Sequence, residues 1–158
     1  REGLAGLARG EASGSCEVLD EGAARAFWAR HDELRTAATL RARVAALPSH
    51  IEPLAAGVLP ALAAACASPG FLWYATLGLG FFCGEPRDAS SAATAVLAAR
   101  GKLGELGGTL TLTAAPRAVR ERADVWGPPP AALALMQSVK ARLDPERRLA
   151  PGRFVGGL

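Results

Sequence analysis

The sequence predicts an α+β fold: an open sheet with helices packed on one face. Two stretches alternate apolar and polar residues at strand period, "TLRARVA" at 39–45 and "TLTLT" at 109–113. Each therefore has one apolar and one wet face. Between the extended stretches lie segments with helical spacing, and strands patterned on one side only belong to a sheet covered on one side only.

In chain order, residues 13–19 are a weak strand candidate after a Gly/Ala-rich entry. A helix is predicted over 22–36, where Ala23, Phe27, Arg30, His31 and Leu34 share a face. The strand at 39–45 follows, with Leu40, Ala42 and Val44 on one side and Arg41 and Arg43 on the other. "SHIEP" then reads as a helix start, with Ser49 as N-cap, Glu52 closing a capping box and Pro53 in the first turn. That helix should reach about Ala67, with a kink at Pro60.

Residues 71–79 are the most aromatic stretch and read as a central strand, running into "GLGFFCGEP", a Gly-rich continuation or turn. Ser90 and Ser91 should cap a helix to about Leu106, ended by Gly107 and Gly108. After the strand at 109–113 come a helical turn near Arg117, "VWGPPP", and a last amphipathic helix with Leu133, Met136, Val139 and Leu143, stopped at Pro145. The predicted open sheet face carries Arg41, Arg43, Thr109, Thr111 and Thr113.

At 158 residues the chain fits one domain with a proper core. Mean hydropathy is only +0.17, and the longest apolar stretch, 54–67, is broken by Gly57 and Pro60 and too short to span a bilayer. A soluble domain without a signal peptide or transmembrane segment is expected. The first residue is Arg1 rather than Met, which implies a piece of a longer chain. Net charge is +3, but the arginines form no basic run and do not interleave with aromatics, so nucleic acid is not an expected partner. Cys16, Cys66 and Cys83 fit a reducing compartment and packing roles.

Little in the sequence looks like a self-contained active site, and neither catalytic nor metal-ligating residues are assigned. "GLGFFCG" at 78–84 has its third glycine one residue too far along for a dinucleotide loop, and no acidic residue follows at the usual distance. A bulge or turn is the ordinary reading. His31 sits on a helix face within "HDE", and His50 lies inside the expected capping box. Arg41 and Arg43 are the stronger candidates: alternate strand positions place two guanidinium groups about 7 Å apart on one side. Together they could hold a carboxylate, a phosphate or a partner acid; equally, they could lie flat on an exposed sheet.

The C-terminal third carries a resemblance. Gly107-Gly108 before a strand, Ala115-Pro116, Asp124-Val125-Trp126-Gly127, a helix with Met136 and Lys140, Asp144-Pro145, and Pro151-Gly152-Arg153-Phe154 occur in that order. This run resembles the end of the FAD-binding subunit (the E subunit) of glycolate oxidase, itself similar to FAD-linked oxidases of the vanillyl-alcohol oxidase type. "LRARVAALPS" at 40–49 resembles the family's cap-domain strand and turn less specifically. One departure is Ala150, where the family commonly has Asn before Pro-Gly.

The resemblance implies that residues 1–158 are a single C-terminal cap domain, with the FAD-binding domain elsewhere in the subunit. By fold analogy its sheet would be ferredoxin-like. The full complex would oxidise glycolate, or a close relative such as lactate, with FAD as cofactor. Its implied partners are the N-terminal FAD-binding domain, a D-like flavin subunit and an iron–sulfur subunit. The implied location is cytoplasmic, peripheral at the inner membrane through the complex.

Arg41 and Arg43 would line the substrate or anion side. Pro151, Gly152, Arg153 and Phe154 would dock against the cofactor domain, and this tail should lack support in the chain by itself. A second reading is a subunit-interaction module, with an open sheet face to which Trp73 and Tyr74 contribute, and no small-molecule site. A third, a free-standing small-ligand sensor of ferredoxin-like shape, rests on fold analogy and would need a stable dimer and a tail that folds back on its own domain.

Overall fold

The computed structural model describes residues 18–158. Most of the strand candidate at 13–19, and Cys16, lie outside them. The chain divides into two compact units, Arg1–Glu33 and Leu34–Leu158.

The described part of the first unit is the beginning of helix α1 (Glu21–Thr36). The Asp20 carboxylate accepts from Ala23 N–H at 2.7 Å and so caps the helix. Phe27 meets Trp28 edge-on at 5.3 Å, and Trp28 meets His31 in the same way at 5.2 Å.

The second unit holds strand β1 (Leu40–Ala45), an irregular helical stretch α2 (48–64), β2 (Cys66–Tyr74), β3 (Leu79–Pro86), helix α3 (Ala89–Glu105), β4 (Thr109–Ala114), a single turn α4 (Arg117–Arg120) and helix α5 (Leu133–Leu143). The four strands form one sheet in the order β2-β3-β1-β4, and every neighbouring pair is antiparallel. A β-α-β-β-α-β chain in that order is the ferredoxin-like arrangement. The expected α+β open sheet is therefore present.

The covered sheet face presents Leu40, Ala42, Val44, Phe82, Leu110 and Leu112. The core continues through Leu54, Val58 and Leu62 of α2 and Ala92, Val96, Ala99 and Leu103 of α3. The apolar alternation in β1 and β4 is the cause: shifting either strand by one residue would turn its apolar set toward water.

Several local expectations are corrected. The Ser49 capping box does not form, because a 3-10 turn (Pro48–His50) carries the chain into α2 with no side-chain cap. The kink expected at Pro60 takes the form of a π turn (Leu54–Val58) ahead of it, closed by Leu59 N–H on the Leu54 carbonyl. Pro60 has no N–H for the normal ladder, and the wider turn absorbs the loss. α2 ends at Ala64 rather than Ala67. The α3 cap is Asp88, not a serine: its carboxylate accepts from Ser91 N–H at 2.8 Å.

The aromatic stretch also changes place. β2 is an edge strand, with a bulge between Ala67 and Gly70 beside Pro69. Of the two readings of the Gly-rich segment, continuation or turn, neither holds as it stands: it is a separate inner strand, β3, with the turn before it. Its glycines serve cross-strand packing: a Cβ on Gly80 would lie 2.7 Å from the Phe71 ring, and one on Gly84 would lie 2.7 Å from the Cys66 Cβ.

Candidate functional site

Strand register builds the uncovered sheet face. Arg43 lies opposite Phe81 on β3 and Thr111 on β4, and Arg41 lies opposite Cys83 and Ala114. The β1–β4 register shifts between Arg41 and Ala42, and there the Thr113 hydroxyl donates to the Arg41 carbonyl at 3.3 Å. The two candidate guanidinium groups thus share one face. Arg43 is exposed, whereas Arg41 is half-buried and its Nε is shielded from solvent without a hydrogen-bond partner.

A third guanidinium joins them. Arg35, at the end of α1 and within the second unit, sits over the Phe81 ring at 4.5 Å, a cation–π contact. Tyr74 meets the same ring edge-on at 5.8 Å. Sequence reasoning missed Arg35, because nothing in a helix's last turn announces the strand that it will meet. The one acid on this part of β3, Glu85, is engaged by the Thr39 amide at 2.9 Å and by the Thr39 hydroxyl. Those hydrogen bonds hold its carboxyl below the usual range. The arrangement is a cationic face with an aromatic centre, suited to hold a carboxylate or phosphate. Trp73, in contrast, packs against the core and stacks on Phe71 at 6.2 Å.

The second cluster is C-terminal. Arg100 of α3 is buried, donating from Nε to the Leu110 carbonyl at 3.0 Å and from Nη2 to the Val125 carbonyl at 3.1 Å. Burial lowers its proton affinity, and the charge of Asp124 opposes that shift. The Asp124 carboxylate itself folds the next turn, accepting from Trp126 N–H at 2.8 Å and Gly127 N–H at 3.0 Å. Gly127 has φ +85, and a Cβ there would press on Arg100 Nε at 2.9 Å. The Asp-Val-Trp-Gly segment is thus moulded around Arg100, and its Val125 carbonyl also accepts from Leu112 N–H of β4.

The tail docks on this turn. The Trp126 indole donates to the Arg153 carbonyl at 3.2 Å, and its ring meets Phe154 edge-on at 4.8 Å. Asp144, only 6% exposed, accepts from Lys140 Nζ at 2.7 Å and from the Arg148 and Leu149 amides. The Lys140 hydrogen bond is the main reason that its carboxyl lies below the normal range. The expectation that Pro151–Phe154 lack support within the chain is therefore corrected. Trp126, Asp144 and Leu133, against which Gly156 packs, supply that support. Ala150 contributes a backbone turn, at φ +44 with its carbonyl accepting from Arg153 N–H.

α5 and the tail enclose an open groove of about 700 Å³ whose wall is almost wholly apolar. Leu135 and Leu149 are 66% exposed there and Leu143 77%, with Val139 and Phe154 beside them. The amphipathic helix expected here is present as α5, and it has no buried residue.

Cys66 and Cys83 are free and buried, and burial raises both thiols, consistent with packing roles. His50 is half-buried and its Nδ1 has no hydrogen-bond partner. Among the described residues no group of three or more His, Cys, Asp or Glu is placed to hold a metal, and no helix is long and apolar enough to cross a membrane. No protein-family model, curated protein or solved structure matches the chain.

Proposed function

We propose that this chain is the C-terminal cap domain of the FAD-binding subunit of a glycolate, or closely related 2-hydroxy acid, oxidase complex. The observation that carries the reading is the groove between α5 and the tail. Five large apolar side chains (Leu135, Val139, Leu143, Leu149 and Phe154) are exposed along it. Contiguous apolar surface of this kind belongs against another protein surface. It is built by the same segments that resemble the flavoprotein tail, which in that family returns to the cofactor domain.

FAD itself does not fit the described residues. A pyrophosphate cradle needs a glycine loop opening onto a helix N-terminus. Here Gly80 and Gly84 are strand positions pressed against Phe71 and Cys66. The flavin, which supplies the redox chemistry when bound, would be carried by the neighbouring domain, a D-like flavin subunit and an iron–sulfur subunit completing the complex. This chain's part is to bind and orient. Arg41, Arg43 and Arg35 would hold the carboxylate of the acid at the cationic face, and the groove would seat the cofactor domain.

The test is purification of the native full-length gene product. It should carry stoichiometric flavin and co-purify with an iron–sulfur protein. The Arg41→Gln/Arg43→Gln double variant should lose glycolate-dependent dye reduction while the complex stays assembled. Loss of assembly with residual flavin chemistry intact would support the interaction-module reading instead. A native product without flavin would remove the oxidase assignment.

A further inference from the structure

A smaller pocket, of about 310 Å³, opens at the end of β4. Its floor and walls come from Leu112, Val125 and Trp126, and two arginines from distant parts of the chain enter it: Arg120 of α4 and Arg153 of the tail. The geometry points to a binding site for a small organic carboxylate, gripped by Arg120 and Arg153 with its body against Trp126.

Among the described residues neither side chain has a hydrogen bond or ion pair. Arg117 and Arg148, by contrast, are paired, with Glu121 at 2.7 Å and Glu146 at 2.6 Å. A guanidinium stays charged at any physiological pH, and its planar fork matches a carboxylate. Two forks in a pocket of mixed polar and apolar lining, with Thr113 beside Leu112, Val125 and Trp126, have the composition of a small-ligand site, and the volume is at the small end for such sites.

The pocket is also held in shape. The Arg100 bonds fix the Val125 carbonyl and the Asp124 turn fixes Trp126. Meanwhile the Trp126 indole pins the backbone of Arg153, which lines both this pocket and the larger groove, and leaves its guanidinium without a partner among the described residues. This inference is independent of the flavoprotein reading, because it concerns binding to this chain by itself.

The experiment is a titration of the chain with sodium benzoate and, separately, inorganic phosphate, followed by the indole N–H resonances. Trp126→Phe identifies the Trp126 signal. Benzoate should shift that signal saturably and leave those of Trp28 and Trp73 in place. Arg120→Gln and Arg153→Gln should each weaken binding about tenfold or more, the loss of one charge-assisted contact. Arg142→Gln, on the exposed side of α5, should not. Spectra that otherwise overlay the wild type show that the variants are folded. No saturable shift, wild-type affinity in the Arg120→Gln and Arg153→Gln variants, or binding of phosphate but not benzoate would each overturn the proposal.

Discussion

Arg100 Nη2 donates to the Val125 carbonyl at 3.1 Å, tying a buried helix cation to a turn 25 residues later. The same side chain holds Leu110 of β4, so one residue joins α3, the edge strand and the turn that receives the tail. Replacing it with methionine keeps the stem but removes one hydrogen bond from each of two carbonyls, leaving Val125 with the Leu112 amide alone. Arg100→Met should cost about 2–3 kcal/mol. Arg100→Lys, a point charge that cannot fork between two acceptors, should lose less. Urea unfolding of the three proteins measures both. A methionine variant as stable as the wild type would show that the clamp contributes nothing.

Two glycines should respond to alanine in opposite directions. Gly101 lies within α3 with nothing within 4 Å of an added Cβ, so Gly101→Ala should stabilise by about 0.5–1 kcal/mol through helix propensity. At Gly80 the new methyl would strike the Phe71 ring, and Gly80→Ala should destabilise by about 1–3 kcal/mol. Thermal unfolding midpoints moving apart are the expected result. A neutral Gly80→Ala would mean that Phe71 can move aside without cost.

These particulars show what the sequence could and could not express. β1, β4 and α3 were legible because their patterns are local: Leu40, Ala42 and Val44 alternate with arginines, and Gly107 at φ +66 stops the helix. β3 was not, because Gly80 and Gly84 answer to side chains on another strand, and no local pattern reports Phe71. α5 was legible as a helix but not in its direction. Periodicity states which residues share a face, not what covers it. Arg41 and Arg43 could be paired from strand alternation alone. Arg35 needed the tertiary placement of Phe81, and Arg120 with Arg153 needed the tail to fold back.

The attachment of the tail should depend on pH through Asp144. Its carboxyl titrates below the usual aspartate range because the charged form holds Lys140 and two amides. A group depressed in the folded state stabilises above its unfolded value, about 4, and that contribution disappears as pH falls through the folded value. Hydrogen-exchange protection of the Arg148 and Leu149 amides should therefore be constant near neutrality and fall below about pH 4. Asp144→Ala should abolish it at every pH. Protection that persists in Asp144→Ala would show that the tail is held by Trp126 and Leu133 without the carboxylate.

The exposed groove makes the sharpest separation between folding and assembly. Val139 and Leu143 are 49% and 77% exposed, so Val139→Glu and Leu143→Glu remove little buried surface from the chain. Each should change its unfolding free energy by no more than about 0.5 kcal/mol. In the native full-length protein the same charges would face an apolar partner surface without water to solvate them. An unpaired charge there is costly, so both variants should lose flavin content or subunit co-purification while the chain itself stays folded. Unchanged assembly in both would mean that the groove is solvent-facing in the native protein, and the proposed docking of a cofactor domain there would fall.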